Sequence, residues 1–297
     1  MRITVFTPTY NRAYIISNLY NSLCRQTFKD FEWFIVDDGS TDNTEELVNE
    51  WINDANSGFS IRYFKKKNGG KPSAINYGVD RAEGELFFTV DSDDYLADDA
   101  LEKIDRWERE LPKDRKFCGV AGNLGTSKTE TPNKLFEDGY RDASALERYS
   151  DYCADTIDGE RAFIFYTEIQ KKYKYPEFDG ETFITEAVVW NRMAHDGYIV
   201  RFFNDIIWIY EYQPDGYTMS GNKMFVERPR GYGLWLKEKA EFCGFSFKKK
   251  TLMYYSFYCE LREKHTKNQI AEFIGAPKVI IYLSAFVHNL KHLFKKK

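Results

Sequence analysis

Short apolar runs alternate with helical patterns over the first hundred residues. Ile3–Thr7 and Phe31–Val36 are mostly apolar runs typical of buried strands, and apolar residues at helical spacing follow each one. The first of these helices is predicted at Tyr14–Gln26. Ile61–Phe64 and Leu86–Val90 repeat the strand signal. Four strand-then-helix steps predict an α/β fold, with a Rossmann-like, mostly parallel mixed sheet flanked by helices.

The remainder of the chain is less regular. We predict a strand at Phe163–Tyr166, a helix at Thr182–His195 and one or two strands within Ile199–Tyr212. After Pro229 the pattern is helical and aromatic up to the terminal lysines. These patterns predict a helical C-terminal extension.

The predicted domains are an α/β domain, residues 1–225, and a helical, basic extension, residues 226–297. The first domain would consist of two halves, residues 1–105 and 106–225. The chain has 297 residues and is 43% apolar, which is enough for a sizeable core.

Charge is unevenly distributed. The formal net charge is −4, which gives no global reason to expect a nucleic-acid partner. Residues 237–297 nevertheless contain 13 basic and 5 acidic residues. An acidic body therefore carries a basic tail.

Cysteine usage and the N-terminus favour a cytoplasmic protein. The five cysteines include no C-x-x-C pair, so neither a disulfide framework nor a zinc site is indicated. The first apolar run ends at Pro8, which is too early for a signal peptide. No stretch reaches the ~18 apolar residues that a membrane span requires.

Polar clusters stand where three of the predicted strands end. They are Thr7–Arg12, Asp37–Ser40 and Asp91–Asp94. Ligands of open α/β sheets bind outside the carboxyl ends of the strands. We therefore expect the three clusters to converge in one crevice.

The cluster Asp91–Asp94 is the strongest local signal. Carboxylates at Asp91 and Asp93 point to the same side of an extended segment, and hard oxygen ligands suit Mg²⁺ or Mn²⁺. A polar turn before a capped helix explains the same residues about equally well.

Two further clusters suggest nucleotide binding. A carboxylate at Asp37–Ser40 can accept hydrogen bonds from a ribose or base, although Asp-Gly is also an ordinary turn. Asn68–Lys71 offers backbone N–H groups and a cation to an anion such as a diphosphate, and a solvated loop is the alternative. Neither a G-x-G-x-x-G fingerprint nor a P-loop is present, which disfavours dinucleotide oxidoreductases and P-loop hydrolases.

Together these segments resemble the inverting family 2 glycosyltransferases of the GT-A fold. The resemblance covers residues 1–105 well, weakens through residue 218 and is absent beyond about 230. It rests on Thr7-Pro8-Thr9-Tyr10-Asn11-Arg12, Gln26-Thr27-Phe28, Val36-Asp37-Asp38-Gly39-Ser40-Thr41-Asp42, Asn68-Gly69-Gly70-Lys71, Ala74-x-Asn76-x-Gly78 and Asp91-Ser92-Asp93-Asp94.

The resemblance implies a nucleotide-sugar donor, usually a UDP-sugar. It makes residues 1–105 the nucleotide-sugar-binding half of the first domain and residues 106–225 its acceptor half. In that interpretation Pro8, Thr9 and Asp38 line the base and ribose pocket, and Lys71 lies beside the diphosphate.

The resemblance also implies a D-x-D element. Asp93 would hold Mg²⁺ or Mn²⁺, and Asp91 would help to place the ribose or the metal. A cation at this point would stabilise the charge that develops on the departing diphosphate.

An inverting transfer needs a general base near the acceptor hydroxyl. The family places it in an acidic pair at a helix start, which corresponds here to Glu186, with Ala187 in place of the second acid. Glu186 is therefore the predicted base, and Asp179 and Glu181 are the reserve candidates. A structural alternative is that Glu186 only complements the helix dipole.

Acceptor contacts are predicted from one further segment and from aromatic residues. The segment Glu211–Thr218 also resembles a family stretch near the acceptor end of the site, which makes Asp215 a candidate acceptor or loop contact; an Asp-Gly turn is the alternative. Trp190, Trp208 or Tyr212 could stack on sugar faces, although most aromatic residues belong to cores.

The C-terminus predicts an amphipathic helix. Its apolar line comprises Val279, Leu283, Phe286, Leu290 and Leu293, and lysines end the chain. Such a helix is typical of contact with an anionic membrane surface, which would make the protein peripheral to the cytoplasmic membrane. The alternative is a helix packed on the catalytic domain.

These observations predict a metal-dependent inverting hexosyl- or hexosaminyltransferase. Its acceptor would be a glycan or a lipid-linked acceptor in surface polysaccharide synthesis. One alternative is a sugar nucleotidyltransferase, although it would need a basic triphosphate-binding loop that the sequence does not show. The other is a non-catalytic sugar-nucleotide-binding or scaffold protein, which the missing partner of Glu186 favours.

Overall fold

The computed structural model describes residues 1–54, 57–149, 157–211, 213 and 221–295. Within these residues nine strands form one sheet. The strands are β1 (Ile3–Thr9), β2 (Phe31–Asp37), β3 (Ser60–Lys65), β4 (Leu86–Thr89), β5 (Tyr95–Leu96), β6 (Phe117–Gly125), β7 (Tyr140–Ala143), β8 (Arg161–Tyr166) and β9 (Ile199–Ile209).

Helices flank the sheet and continue into the C-terminal extension, and a 3-10 helix spans Ala145–Tyr149. The α-helices are α1 (Ser17–Cys24), α2 (Thr44–Asn53), α3 (Lys71–Arg81), α4 (Ala100–Arg109), α5 (Thr167–Gln170), α6 (Ala187–His195), α7 (Lys223–Val226), α8 (Pro229–Phe242), α9 (Phe247–Leu261), α10 (Lys267–Ile274) and α11 (Lys278–Lys295).

The sheet is parallel in its first half and mixed in its second. The strand order is β3-β2-β1-β4-β8-β6-β9-β5, and β7 pairs with β9. β1, β2, β3 and β4 pair in parallel, as the repeated strand-then-helix pattern predicted. β8 runs antiparallel to both β4 and β6, whereas β9 is parallel to β6. The α/β prediction is confirmed, but the parallel arrangement dominates only in the first half.

Both faces of the sheet are covered by apolar helix faces. β1 and β2 are buried along their whole length, which explains why their sequences are nearly continuous in apolar residues. One core cluster packs α1, α2 and α4 on the face that includes Val5, and a second packs α3 and α6 on the face that includes Phe6. The two layers hold the carboxyl ends of the strands in fixed positions.

Three predicted elements differ from the structure in extent. The helix predicted at Thr182–His195 begins only at Ala187, because residues 182–185 are not helical. The helix predicted from Tyr14 begins at Ser17. Ile199–Ile209 is one long strand, β9.

The central strand β6 was not predicted from the sequence. It is buried throughout but contains Gly119, Gly122 and Gly125, which interrupt its apolar run. A Cβ atom at Gly119 would lie 1.9 Å from the carbonyl oxygen of Ile164 on the neighbouring strand β8. The close approach of the two backbones therefore requires glycine at position 119, although glycine interrupts the apolar pattern of a buried strand.

The helices after residue 226 have a small core of their own. Phe257, Ile270 and Ile281 are fully buried among α9, α10 and α11. The predicted domain boundary near residue 225 stays a prediction. None of the helices in the described ranges is long and apolar enough to cross a membrane.

Candidate active site

The polar clusters after β1, β2 and β4 lie at one edge of the sheet. Thr9 pairs with Asp37, and Phe6 pairs with Thr89, so the three strands end close together. A cavity of about 1330 Å³ opens at this edge. Many residues that the sequence singled out line it, among them Pro8, Thr9, Asp38, Lys71, Asp91, Asp93, Glu186 and Trp190.

Asp38 organises the end of the cavity that the sequence assigns to the nucleoside. Its carboxylate accepts hydrogen bonds from the backbone N–H groups of Gly69 (2.9 Å) and Gly70 (2.6 Å) and from the ammonium group of Lys66 (2.7 Å). We expected the N–H groups of Asn68–Lys71 to bind an anionic ligand. For Gly69 and Gly70 this expectation is wrong, because the anion that they bind is Asp38 itself.

Thr9 is the second polar side chain at this end. It is almost fully buried, and its hydroxyl has no hydrogen-bond partner within the described residues. Its carbonyl oxygen accepts the backbone N–H of Asp38 (2.8 Å). A buried hydroxyl without a partner costs free energy, so a polar group of a ligand is expected to bind it.

Lys71 joins the two halves of the cavity. It is the first residue of α3, and its ammonium nitrogen lies 2.8 Å and 3.0 Å from the two carboxylate oxygens of Asp91. The same nitrogen lies 2.9 Å from Oε1 of Glu186. Burial alone would lower the pKa of Lys71, but the charges of Asp91 and Glu186 hold this pKa well above its usual value. Lys71 is therefore a permanent cation between two carboxylates.

Glu186 immediately precedes α6. Burial opposes its ionisation, yet the charge of Lys71 and its hydrogen bond lower the pKa of Glu186 below the ordinary value. Its carboxylate is therefore ionised at neutral pH and able to accept a proton.

The two reserve candidates for the base are placed differently. Glu181 accepts the backbone N–H groups of Arg230 (2.8 Å) and Gly231 (2.9 Å), which begin α8. Its carboxylate is thus committed to holding a helix start. Asp179 is exposed and does not line the cavity.

Three carboxylates, those of Asp91, Asp93 and Asp94, line the part of the cavity wall that comes after β4 in the chain. Burial and the charge of Asp91 raise the pKa of Asp93, whose carboxylate lies 4.0 Å from the guanidinium group of Arg12. Burial, together with Asp91 and Asp93, raises the pKa of Asp94 to about 8. Asp94 accepts the indole N–H of Trp208 at 2.8 Å. Negative charge here is only partly compensated by the protein.

The donor set of this wall suits Mg²⁺ or Mn²⁺. Such ions prefer carboxylate oxygens and commonly bind through one or two of them, with phosphate oxygens and water completing the shell. In the described part of the chain, no three acidic, histidine or cysteine side chains are grouped to hold a metal. Asp91 and Asp93 could therefore supply only part of a coordination shell, and substrate phosphates would have to supply more.

The residues predicted to contact the acceptor are only partly described. Trp190 lines the cavity, and its ring stacks on Phe163 with 4.1 Å between the ring centroids. Trp208 also lines the cavity, with its indole nitrogen bonded to Asp94 as above. Asp215 and Tyr212 lie outside the described residues.

Several residues of the cavity wall were not found from the sequence. Glu160 precedes β8, and burial and the charge of Glu186 raise its pKa. Met224, Phe225 and Trp235 come from α7 and α8. No local motif marks any of the four, and only the abundance of aromatic residues after Pro229 could have drawn attention to Trp235.

Comparisons with known proteins agree with this arrangement. The family model described as Glycosyl transferase family 2 matches residues 4–180. The chain is 38% identical over 140 residues to the poly(ribitol-phosphate) beta-N-acetylglucosaminyltransferase TarS of Staphylococcus aureus, which covers 46% of this chain and 24% of TarS. It is 40% identical over 139 residues to the chondroitin synthase of Pasteurella multocida, covering 46% of this chain and 14% of the synthase. The aligned segment thus spans a quarter or less of these relatives.

Solved structures share the fold. TarS residues 1–349 of S. aureus, in complex with UDP-GlcNAc, superpose with a TM-score of 0.61 and 20% identity, covering 88% of this chain and 80% of that one. The mannosyltransferase PcManGT of Pyrobaculum calidifontis, in complex with GDP-Man and Mn²⁺, gives a TM-score of 0.56 and 20% identity, covering 81% and 64%. These likenesses confirm the predicted GT-A fold.

Proposed function

Because the chain belongs to glycosyl transferase family 2, we propose that it transfers a sugar from a nucleoside diphosphate sugar, in the first place a UDP-sugar, to a hydroxyl group of a glycan or a lipid-linked acceptor. One observation carries the proposal. Residues from separate segments converge on a single cavity, among them Thr9, Asp38, Lys71, Asp93 and Glu186. Its volume of about 1330 Å³ exceeds the roughly 300–1,000 Å³ that is usual for one small ligand. A donor and an acceptor could therefore bind together.

Lys71, Asp91 and Asp93 would bind the diphosphate. Lys71 contributes a partly buried positive charge directly, and the two aspartates would hold Mg²⁺ or Mn²⁺. When bound, the divalent ion supplies a Lewis acid that stabilises the negative charge on the leaving diphosphate. Thr9 and Asp38, at the ends of β1 and β2, would contact the nucleoside.

Glu186 would act as the general base. Its ionised carboxylate takes the proton of the acceptor hydroxyl while that oxygen forms a bond to the anomeric carbon. The bond from this carbon to the diphosphate oxygen breaks, and its electron pair leaves with the nucleoside diphosphate. Attack from the side opposite the leaving group inverts the configuration at the anomeric carbon.

The ion pair between Lys71 and Glu186 would connect donor binding with catalysis. A diphosphate bound near Lys71 competes with Glu186 for the same ammonium group. Weakening of this ion pair would make the Glu186 carboxylate a better proton acceptor, because the charge of Lys71 is what lowers its pKa.

The relatives support a role in polysaccharide synthesis. The similar regions belong to a chondroitin synthase, a hyaluronan synthase and an N-acetylglucosaminyltransferase that acts on poly(ribitol phosphate). We therefore favour transfer of a hexose or N-acetylhexosamine to a growing surface glycan.

We further propose that α11 docks the protein on an anionic membrane. Five apolar side chains at helical spacing are exposed on one face of α11: Val279, Tyr282, Leu283, Phe286 and Val287. The opposite face, with Ile281 and Ala285, packs on the core shared with α9 and α10. The predicted apolar line thus points away from the protein as far as Phe286.

Charge favours a membrane as the occupant of this face. Residues 237–297 carry a net charge of +8, which an anionic lipid surface would attract. The side chains of Leu290 and Leu293 and the terminal residues Lys296 and Lys297 lie outside the described residues. Contact with the inner face of a membrane would bring the site to lipid-linked acceptors.

A panel of nucleotide sugars tests the proposed activity. Release of nucleoside diphosphate is measured with Mn²⁺, Mg²⁺ or chelator, in the presence of chondroitin, hyaluronan and chitin oligosaccharides, and thermal shift reports binding in parallel. We expect one nucleotide sugar to stabilise the fold and to be consumed when a divalent ion is present. If no nucleotide sugar stabilises the protein under any metal condition, the proposed function is wrong.

A non-catalytic sugar-nucleotide-binding protein is the second candidate. It is favoured by the ion pair that Glu186 forms with Lys71, since this pair could serve the structure alone. This candidate predicts that a nucleotide sugar stabilises the fold without being consumed, whatever the acceptor.

A further inference from the structure

We propose that the helical extension completes the active site with an acceptor subsite for a saccharide. Met224, Phe225 and Trp235 would form a wall on which a pyranose ring of the acceptor stacks. The inference rests on the proposed function and adds to it the residues that would bind a saccharide acceptor. It concerns residues beyond the segment that matches the family model, which ends at residue 180.

The extension is fixed to the acceptor half by specific polar contacts. Glu181 binds the first N–H groups of α8, as described above, and Arg192 of α6 forms a bidentate ion pair with Glu238 of α8, with nitrogen-to-oxygen distances of 2.6–3.1 Å. Gly231 packs closely on Ile184, because a Cβ atom added at Gly231 would lie only 3.3 Å from Cγ1 of Ile184. The position of α8 is therefore set by side chains on both sides of Glu186.

This attachment places the aromatic wall at the base end of the cavity. Phe225 packs edge-on against Phe183, with 5.9 Å between ring centroids, and Phe183 is close to Glu186 in the chain. Trp190, one turn into α6, lines the same cavity. The acceptor hydroxyl must lie within hydrogen-bond reach of the base, and the wall lines the same cavity as Glu186.

The chemistry of the wall suits a sugar. Trp235 and Phe225 are nearly parallel, with ring centroids 5.7 Å apart, and the ammonium group of Lys239 lies 5.1 Å from the Trp235 ring. The indole N–H of Trp235 is buried and has no hydrogen-bond acceptor in the part of the chain that the structure describes. A pyranose offers both complements, namely an apolar face for the ring and hydroxyl oxygens for the N–H group.

Acceptor kinetics of Trp235 variants test the inference. The probes are tetrasaccharides of chondroitin, hyaluronan, chitin and maltose, assayed with the nucleotide sugar that stabilises the wild-type protein. We expect Trp235→Ala to raise the acceptor KM about tenfold, equivalent to about 1.4 kcal/mol. Trp235→Phe keeps an aromatic ring and loses only the N–H group, so its KM should lie between those of the wild type and Trp235→Ala.

Donor measurements separate this inference from the proposed function. The donor KM and the donor-induced thermal shift should change by less than about twofold in both Trp235 variants. Phe247→Ala, which removes an exposed aromatic ring from the start of α9, is the matched control and should leave the acceptor KM unchanged.

Three results would overturn the inference. The acceptor KM could be the same in Trp235→Ala as in the wild type, or the donor KM could rise as much as the acceptor KM, which would indicate a general structural role. A wild-type protein that binds donor but uses none of the four saccharides at millimolar concentration would exclude a saccharide subsite. Failure of the wild type to bind any nucleotide sugar would instead refute the proposed function.

Discussion

The ammonium nitrogen of Lys71 lies 2.9 Å from Oε1 of Glu186, and it also binds both carboxylate oxygens of Asp91. One cation thus joins the end of β4 to the start of α6. The residue that would bind the diphosphate is in direct contact with the residue that would take the acceptor proton. Under the proposed function, the donor and acceptor chemistry of the site would therefore be coupled through Lys71.

Replacing Glu186 by Gln should abolish turnover without abolishing donor binding. The amide cannot accept the proton, so we expect kcat to fall by about 10²- to 10⁴-fold. Turnover and the donor-induced thermal shift are measured side by side. Asp179→Asn is the control, because Asp179 is a nearby exposed acid that does not line the cavity. Turnover of Glu186→Gln at the wild-type rate would exclude Glu186 as the base.

The pH dependence of kcat/KM for the donor should depend on Lys71, because this ratio reports the pKa values of the free enzyme. Because Lys71 lowers the pKa of Glu186, the wild-type acid limb should lie below the ordinary glutamate value of about 4.3. In Lys71→Met the burial of Glu186 is no longer offset, so the acid limb should move to higher pH. The measurement is kcat/KM for the donor between about pH 3.5 and 8. Identical acid limbs in the two proteins would contradict this coupling.

The same pKa shift predicts a stability effect. A carboxyl group with a lowered pKa in the folded state stabilises the protein at pH values above its unfolded pKa, and this contribution is lost as pH falls through the folded pKa. The free energy of unfolding should therefore decline more steeply below about pH 4.3 in the wild type than in Glu186→Gln. Urea denaturation at several pH values measures this difference, and parallel pH profiles would contradict it.

The sequence predicts the first half of the fold and most of the donor end of the cavity. There, strand ends and polar clusters are adjacent in the chain, so that Asp38 and Asp91 could be assigned to one edge from topology alone. Contacts between distant segments could not be predicted in this way. The sequence makes Glu181 a reserve candidate for the base, whereas the structure commits its carboxylate to Arg230 and Gly231, and Trp235 reaches the cavity only because α8 is docked there.

Gly70 should be intolerant of any side chain. Its φ is +87°, and a Cβ atom would lie 2.0 Å from the carbonyl oxygen of Thr182. Gly180 has a similar φ of +81° but open space around it, so Gly180→Ala measures backbone strain alone, about 1–2 kcal/mol. We expect Gly70→Ala to lower the free energy of unfolding by about 1–3 kcal/mol more than Gly180→Ala does, because the backbone must also shift. Equal losses in urea denaturation would show that the contact with Thr182 has no effect.

Membrane docking should depend on the exposed face of α11. The double variant Leu283→Glu, Phe286→Glu should lose binding to vesicles of phosphatidylglycerol and phosphatidylcholine, because it removes apolar contact and adds negative charge. Leu135→Glu alters an equally exposed leucine outside the extension and is the control. Cosedimentation measures binding, which should weaken at high salt.

Two outcomes would contradict membrane docking. The double variant could sediment with the vesicles as the wild type does. Alternatively, the wild type could form a dimer in solution that the double variant does not form, which would assign the face to a second copy of the chain.

The central claim is that Asp91 and Asp93 bind a nucleoside diphosphate through a divalent ion. Calorimetric titration of UDP and of GDP, with Mn²⁺ and with chelator, tests it most directly. The proteins are the wild type, Asp93→Asn and the control Asp99→Asn, which alters a partly exposed acid outside the cavity. We predict that one nucleotide binds the wild type and Asp99→Asn with Mn²⁺, and at least about tenfold more weakly with chelator or in Asp93→Asn. Equal affinity under all these conditions, or no binding of either nucleotide, would contradict the claim.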